Sequence, residues 1–143
     1  MRTWLLDTGA IVAYLDSADP FHSKVSDVID GFDGRLATTG AVLTEAMYFV
    51  SADPAGPRAL AQFVGEGAVA VYDLAQAPEL EAAATLMERY ADTPMDYADA
   101  TLVLLGEALG IKDILTLDRR GFSAYRMRRR RGFRLVLDEP RAR

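Results

Sequence analysis

Short apolar runs alternate along the chain with longer stretches in which apolar residues recur every three or four positions. The short runs are rich in strand-forming residues and predict five strands, at residues 2–6, 35–38, 68–72, 113–117 and 133–137. The periodic stretches predict six helices, at residues 8–15, 23–30, 41–50, 57–66, 78–90 and 96–109. Strands that alternate with helices indicate an α/β fold whose parallel sheet is covered on both faces.

Length and composition narrow the class of protein. The 143 residues, of which 50% are hydrophobic, fit a single domain spanning residues 1–143. No cysteine is present, which excludes disulfides, Cys-ligated zinc and thiol nucleophiles. The single histidine, His22, argues against a multi-histidine metal site or a Ser/His/Asp triad. No apolar stretch reaches the roughly 18 residues of a membrane span and no signal peptide is recognisable, so we expect a cytoplasmic protein.

Charge is distributed unevenly along the chain. Residues 119–143 contain ten arginines and two acids, a local charge of +8, whereas the first 118 residues carry a local charge of -13. An acidic body with a basic end indicates a charged partner such as nucleic acid. The densest part, at residues 126–131, has a second interpretation as a solvated loop before the last strand.

Three acids stand alone in apolar segments. Asp7 is the only charged residue in segment 3–14, Glu45 in segment 36–52 and Asp99 in segment 97–106. Burying an unpaired carboxylate costs several kcal/mol, so each position needs a compensating charge or a polar cavity. Asp7 and Asp118 also follow predicted strands, at the edge where parallel sheets bind ligands. The pattern predicts that these acids converge.

Each acid also has a structural interpretation. Asp96 fits a helix N-cap, and Asp99, three residues later, would then contact the amides of the first turn. Asp7 and Asp118 could cap the helices or turns that follow them, and Glu45 could pair with a distant arginine. The predicted acidic cluster would be ruled out only if every one of these structural interpretations were correct.

A cluster of carboxylates without His or Cys suits a hard divalent cation. Mg²⁺ takes oxygen ligands, keeps several waters and is held by one or two carboxylates together with substrate phosphates. Asp96 and Asp99 lie three residues apart, so they share one helix face and can reach a common ligand. The chemistry that this predicts is phosphodiester hydrolysis by a metal-activated water.

Four short motifs carry a resemblance to a known family. They are Leu5-Leu6-Asp7-Thr8-Gly9-Ala10, Thr44-Glu45-Ala46, Met95-Asp96-Tyr97-Ala98-Asp99-Ala100 and Leu115-Thr116-Leu117-Asp118-Arg119-Arg120-Gly121-Phe122. In order and spacing the chain resembles the PIN-domain nucleases, and among them the VapC-like toxins of bacterial toxin-antitoxin pairs. The resemblance implies a PIN-like three-layer sandwich, in which a central parallel sheet of about five strands is flanked by helices.

The resemblance also implies an activity and a set of site residues. The catalytic quartet would be Asp7, Glu45, Asp99 and Asp118, the ligands of Mg²⁺ or Mn²⁺ would be Asp7, Asp96, Asp99 and Asp118, and the supporting hydroxyls would be Thr8 and Thr116. Such proteins are endoribonucleases that cut specific cellular RNAs, typically form homodimers, and are inhibited by an antitoxin segment in the groove. RNA contacts are expected from Arg119, Arg120, Arg128, Arg129, Arg130 and Arg131, although the run is denser than the family pattern requires.

Two other functions are compatible with parts of the sequence. Asp7-Thr8-Gly9 is also the active-site signature of aspartic proteases, but that fold is built of β-strands and leaves Glu45, Asp99 and Asp118 unexplained. A non-catalytic RNA-binding or interaction domain would use the basic end and need no acidic quartet. RNA cleavage would distinguish the nuclease from both.

Overall fold

The computed structural model describes residues 1–138, in which seven α-helices surround a sheet of five strands. In chain order the elements are β1 (Thr3–Leu6), α1 (Thr8–Leu15), α2 (His22–Asp30), β2 (Arg35–Thr39), α3 (Gly40–Val50), α4 (Gly56–Glu66), β3 (Ala70–Tyr72), α5 (Ala77–Arg89), α6 (Tyr97–Leu109), β4 (Asp113–Leu115), α7 (Arg119–Ala124) and β5 (Arg134–Leu135). Single 3₁₀ turns occupy Arg128–Arg130 and Val136–Asp138. The last five residues of the predicted domain, 139–143, lie outside the described part.

All five strands are parallel and lie in the order β3-β2-β1-β4-β5. Leu5 of β1 pairs with Ala37 of β2 on one side and with Ile114 of β4 on the other. The connections run from β1 through β2 to β3 in one direction and then return past β1 to β4 and β5. Since parallel crossovers are generally right-handed, such a reversal of direction places helices on both faces of the sheet. The predicted three-layer α/β sandwich is thus confirmed. Its strand order reverses beside β1, and this reversal places a crevice at the carboxyl ends of β1 and β4.

The predicted strands were too long near the end of the chain. The strand predicted at 113–117 stops at Leu115, because the Thr116 hydroxyl turns to Asp7 and to the amide of Asp118. The strand predicted at 133–137 is only Arg134–Leu135 and passes into a 3₁₀ turn. Helix α7 was not predicted, because six residues are too few to show an apolar period.

Apolar side chains of the central strands and of α6 form the core. Leu5, Leu6, Ile114 and Leu115 have no exposed surface, as expected for strands covered on both faces. Helix α6 buries seven of its thirteen residues and is the most buried helix beside the sheet. Within residues 1–138, no helix combines the length and apolarity that crossing a membrane requires. This packing holds the ends of β1, β4 and α6 at fixed positions around the crevice.

Candidate active site

A cleft of about 480 Å³ opens at the carboxyl edge of the sheet. Its walls include acids from four separate parts of the chain, namely Asp7, Glu45, Asp96, Asp99 and Asp118, together with Thr8. Asp7 follows β1, Glu45 lies in the second turn of α3, Asp96 and Asp99 begin α6, and Asp118 begins α7. The structure therefore brings together all five acids that the sequence singled out.

Asp7 lies deepest and is held by two hydrogen bonds. The residue is 6% exposed, and its Oδ1 accepts a hydrogen bond of 2.8 Å from the amide of Thr8. Its Oδ2 accepts a hydrogen bond of 2.6 Å from the hydroxyl of Thr116. Burial raises the pKa of Asp7 to about 6, against the lowering effect of both donors. Asp7 is thus the N-cap of α1 as well as part of the cleft.

Asp96 and Asp99 form a reciprocal capping box at the start of α6. The amide of Asp99 donates to Asp96 Oδ1 over 2.8 Å, and the amide of Asp96 donates to Asp99 Oδ2 over 3.1 Å. Each bond uses one oxygen of its carboxylate, so capping leaves the second oxygen available. Burial, followed by the negative charge of Asp7, raises the pKa of Asp99 to about 8. The capping interpretation is confirmed and does not compete with a place in the cleft.

Glu45 faces the same cleft from α3. Among the ion pairs of residues 1–138 none involves Glu45, so the structural pairing with a distant arginine is not observed there. Burial, followed by interactions with Asp96 and the charge of Asp7, raises the pKa of Glu45, while the nearby Thr8 hydroxyl lowers it. That hydroxyl is buried and has no partner in hydrogen-bond geometry. A ligand in the cleft could satisfy it.

Asp118 is linked to Asp7 through one threonine. The Thr116 hydroxyl donates its hydrogen to Asp7 Oδ2, and the oxygen of that hydroxyl accepts a hydrogen bond of 2.9 Å from the amide of Asp118. The Asp118 carboxylate caps α7 by accepting from the amide of Gly121 over 3.0 Å. A Cβ at position 121 would collide with that carboxylate, so the close approach requires glycine. The predicted supporting role of Thr116 has a specific geometry here.

Two buried threonines, which the sequence analysis did not single out, connect the helices that carry Glu45 and Asp99. Thr101 on α6 donates to the carbonyl of Ala98, so the 2.8 Å contact between Thr39 and Thr101 places the donor on Thr39. Thr39 in turn accepts from the amide of Val42 as the N-cap of α3. The signal in the sequence that could have identified Thr39 and Thr101 is the presence of a hydroxyl side chain in an otherwise apolar segment. Asp19, which the sequence analysis also did not single out, lines the cleft as well.

The predicted RNA-binding arginines are divided between the two edges of the sheet. Arg119 and Arg120 follow Asp118 at the cleft, where Arg119 makes an ion pair of 3.1 Å with Asp138. The segment of Arg128–Arg130 precedes β5 at the amino edge, and Arg128 pairs with Glu107 near the carboxyl end of α6. The cleft lies at the opposite end of that helix. The structure therefore does not bring the arginine run to the acids.

The donor set of the cleft fits a hard divalent cation. All candidate ligands are oxygens, the charges of neighbouring carboxylates add to the burial that raises the pKa of Asp7 and of Asp99, and the Thr8 hydroxyl has no partner in hydrogen-bond geometry. Within residues 1–138 no three His, Cys, Asp or Glu side chains already stand in metal-binding geometry. Mg²⁺ usually takes one or two carboxylates directly and keeps its waters, so a preformed three-carboxylate cage is not required.

Comparison with known proteins agrees with this geometry. The family model of the PIN domain matches residues 4–127. Ribonuclease VapC26 of Mycobacterium tuberculosis (strain ATCC 25618 / H37Rv) is 39% identical over 124 residues, which are 85% of this chain and 91% of that protein. The crystal structure of Mycobacterium tuberculosis VapC20, a sarcin-ricin loop cleaving toxin, has a TM-score of 0.72 at 21% identity, with 82% of this chain and 91% of that chain covered. By its family match and its close relative, this chain belongs to the PIN domain family.

Proposed function

We propose that this protein is a metal-dependent endoribonuclease that uses Mg²⁺ or Mn²⁺ and acts as the toxin of a toxin-antitoxin pair. The observation that carries the proposal is the convergence of Asp7, Glu45, Asp99 and Asp118 on one cleft at the strand-order reversal. The names of its relatives support the proposal, since VapC26 is named a ribonuclease and VapC20 a sarcin-ricin loop cleaving toxin. The Asp-Thr-Gly segment begins a helix beside a parallel sheet, which is not the β-fold of an aspartic protease.

In the proposed reaction Asp7, Asp99 and Asp118, with Asp96 beside them, would hold the cation. A bound divalent ion lowers the pKa of a water and stabilises the charge that grows on the leaving oxygen. Thr116 and the amide of Thr8 hold the Asp7 carboxylate in place. Glu45, whose pKa is raised by burial, is suited to accept the proton of the attacking water.

RNA cleavage by the purified protein tests the proposal. Protein separated from any partner should cut RNA internally in Mg²⁺ or Mn²⁺ and stop in EDTA, because the crowded carboxylates cannot activate water by themselves. Product lengths on a labelled RNA would distinguish internal cuts from end trimming. Binding of RNA without cleavage in any divalent ion would contradict the proposal and favour the non-catalytic RNA-binding alternative.

We propose further that the cognate antitoxin inhibits the enzyme by presenting an Arg or Lys side chain to the acidic cleft. A guanidinium can pair with two carboxylate oxygens at once and occupies the place of the cation. Co-expression with the cognate antitoxin should yield an inactive complex. Loss of inhibition, with retained binding, is expected when the inserted basic residue is replaced by Gln. Full inhibition after every basic residue of that segment is replaced would contradict this mechanism.

A homodimer through α3 is the assembly that we propose. This helix leaves three consecutive apolar side chains open to solvent, with Met47 37%, Tyr48 78% and Phe49 53% exposed. Contiguous exposed apolar side chains mark protein interfaces. Light scattering should give twice the chain mass, and Tyr48→Asp should shift the protein toward monomer. Leu109→Asp, an equally apolar-to-acidic change at a residue 39% exposed on α6, serves as the matched control. A monomeric wild-type protein at high concentration would contradict the dimer.

A further inference from the structure

A basic pocket lies at the amino edge of the sheet, away from the acidic cleft. It has a volume of about 620 Å³ and we call it the arginine pocket; its lining includes Arg89, Arg126, Arg128, Arg129 and Arg130 with Tyr90. Arg126, Arg128, Arg129 and Arg130 belong to the basic run noted at residues 126–131, and Arg89, at the end of α5, is added to them by the fold. Arg131, the last of that run, does not line the pocket.

The turn that carries these arginines is ordered by backbone contacts. Arg126 and Gly132 form an antiparallel bridge, and the amide of Met127 donates to the carbonyl of Arg131 over 2.8 Å. Arg129 and Arg130 both adopt the left-handed conformation with φ of 60°, which side chains with a Cβ rarely take. Backbone of this kind persists only where its surroundings hold it, and it clusters at functional sites. The two arginines are therefore presented by a defined turn.

Positive charge in the arginine pocket is only partly compensated. Arg128 pairs with Glu107 over 3.0 Å, and the guanidinium of Arg126 donates to the carbonyls of Ser123 and Tyr125. Arg89, Arg129 and Arg130 make no ion pair within residues 1–138. Several uncompensated guanidinium groups in one pocket fit a polyanion with regularly spaced phosphates better than a single small anion.

Two tyrosines connect the arginine pocket with the start of α6 at the cleft. The hydroxyl of Tyr90 accepts from the amide of Arg126 over 2.8 Å, and its ring lies edge-on to Tyr125 with centroids 5.1 Å apart. The buried Tyr125 donates to the carbonyl of Pro94, two residues before Asp96, over 2.8 Å. Glu107 follows Asp99 by eight residues on α6, which places the two sites about 12 Å apart along the helix at 1.5 Å per residue.

We propose that the arginine pocket is a second RNA-binding site, which holds the phosphodiester backbone of the substrate while the cleft cuts it. The inference rests on the proposed ribonuclease function and specifies its substrate class. Phosphates along one strand of a helical nucleic acid are spaced about 3.4 Å along the axis, so a span of about 12 Å requires about four nucleotides beyond the cut. The preferred substrate is therefore an RNA that is long enough to occupy the cleft and the arginine pocket at the same time.

Binding to a catalytically inactive protein tests the site independently of cleavage. In an Asp7→Asn background, the double change Arg129→Gln and Arg130→Gln should weaken binding of a long single-stranded RNA about tenfold at low salt. It should also reduce the log-log salt slope by about 1.4, since each lost contact to single-stranded phosphate removes about 0.7. Arg129→Lys with Arg130→Lys should retain the slope. The matched control, Arg35→Gln with Arg58→Gln, removes the same charge from exposed positions on β2 and α4.

Cleavage of RNAs of different length provides the second readout. In the otherwise native enzyme, the Gln double variant should lower the kcat/KM ratio between a long RNA and a four-nucleotide substrate about tenfold, mainly through KM. An unchanged salt slope and an unchanged ratio would overturn the inference. Loss of antitoxin binding in place of RNA binding would also overturn it and assign the pocket to an acidic protein segment. RNA binding that depends on the pocket without any cleavage would refute the ribonuclease function alone.

Discussion

Replacing Asp99 by Asn should reduce RNA cleavage by at least about 100-fold, and Asp7→Asn should do the same. Loss of a residue that merely supports a metal ligand commonly costs 10- to 100-fold, so loss of a ligand carboxylate is expected to cost more. The amide oxygen of the introduced asparagine can still accept from the amide of Asp96, which preserves the cap of α6. The change therefore removes charge and leaves the helix start intact.

Cleavage rates at saturating Mg²⁺, together with circular dichroism to establish folding, measure this effect. Asp33→Asn is the matched control, because Asp33 is an exposed acid in the loop before β2, at the amino edge of the sheet and away from the cleft. It should retain full activity. If either cleft variant cuts RNA at the wild-type rate, the acidic cluster is not the catalytic centre.

The second large effect is expected in stability, which should depend on both pH and divalent ions. The pKa of Asp7 is raised to about 6 and that of Asp99 to about 8, both mainly by burial. A carboxyl whose pKa is raised by folding stabilises the folded state while it is protonated, and loses that stabilisation as pH rises through the folded pKa. Without metal, the melting temperature should therefore fall between pH 5 and pH 8.5.

Divalent ions should reverse this fall at alkaline pH. A cation that binds only the folded state, at 100 times its Kd, adds about 2.7 kcal/mol to the free energy of unfolding. For a domain of this size that corresponds to about 8 °C at roughly 3 °C per kcal/mol. Saturating Mg²⁺ or Mn²⁺ at pH 8 should give such a shift, and the shift should shrink at pH 5, where protons compete for the carboxylates.

Thermal melts of Asp99→Asn distinguish crowding from structural pairing. Without metal, the variant should lose the part of the pH dependence above about pH 7, since Asp99 is the cleft acid with the pKa of about 8. Its metal-free stability at pH 8 should equal or exceed that of the wild type. A strongly destabilised variant, together with a melting temperature indifferent to millimolar divalent ions, would indicate that Asp99 serves only the helix cap.

Capping and convergence prove to be compatible at the same residues. Asp7, Asp96 and Asp118 each cap a helix by one carboxylate oxygen, as local sequence rules predict. Helices α1 and α7 directly follow parallel strands, and α6 leads back to the start of β4, so all three helices begin at the carboxyl edge of the sheet and their N-caps gather there. Helix capping and a place in the acidic cluster are therefore roles of the same residues. Local capping rules could not show that the carboxylate oxygens not used in capping share one cleft.

Local periodicity was sufficient for the parallel α/β class, for six of the helices and for the isolation of Asp7, Glu45 and Asp99 among apolar neighbours, because these depend on residues a few positions apart. The meeting of the acids depends on strand order and register, which are set by long-range packing of β1 between β2 and β4. The same packing separates Arg119 from Arg128 although they are nine positions apart, because α7 begins at the carboxyl edge and the chain returns to the amino edge before β5. Arg119 and Arg128, which are close in sequence, thus lie at opposite edges of the sheet, while Asp7 and Asp118, more than a hundred residues apart, line the same cleft.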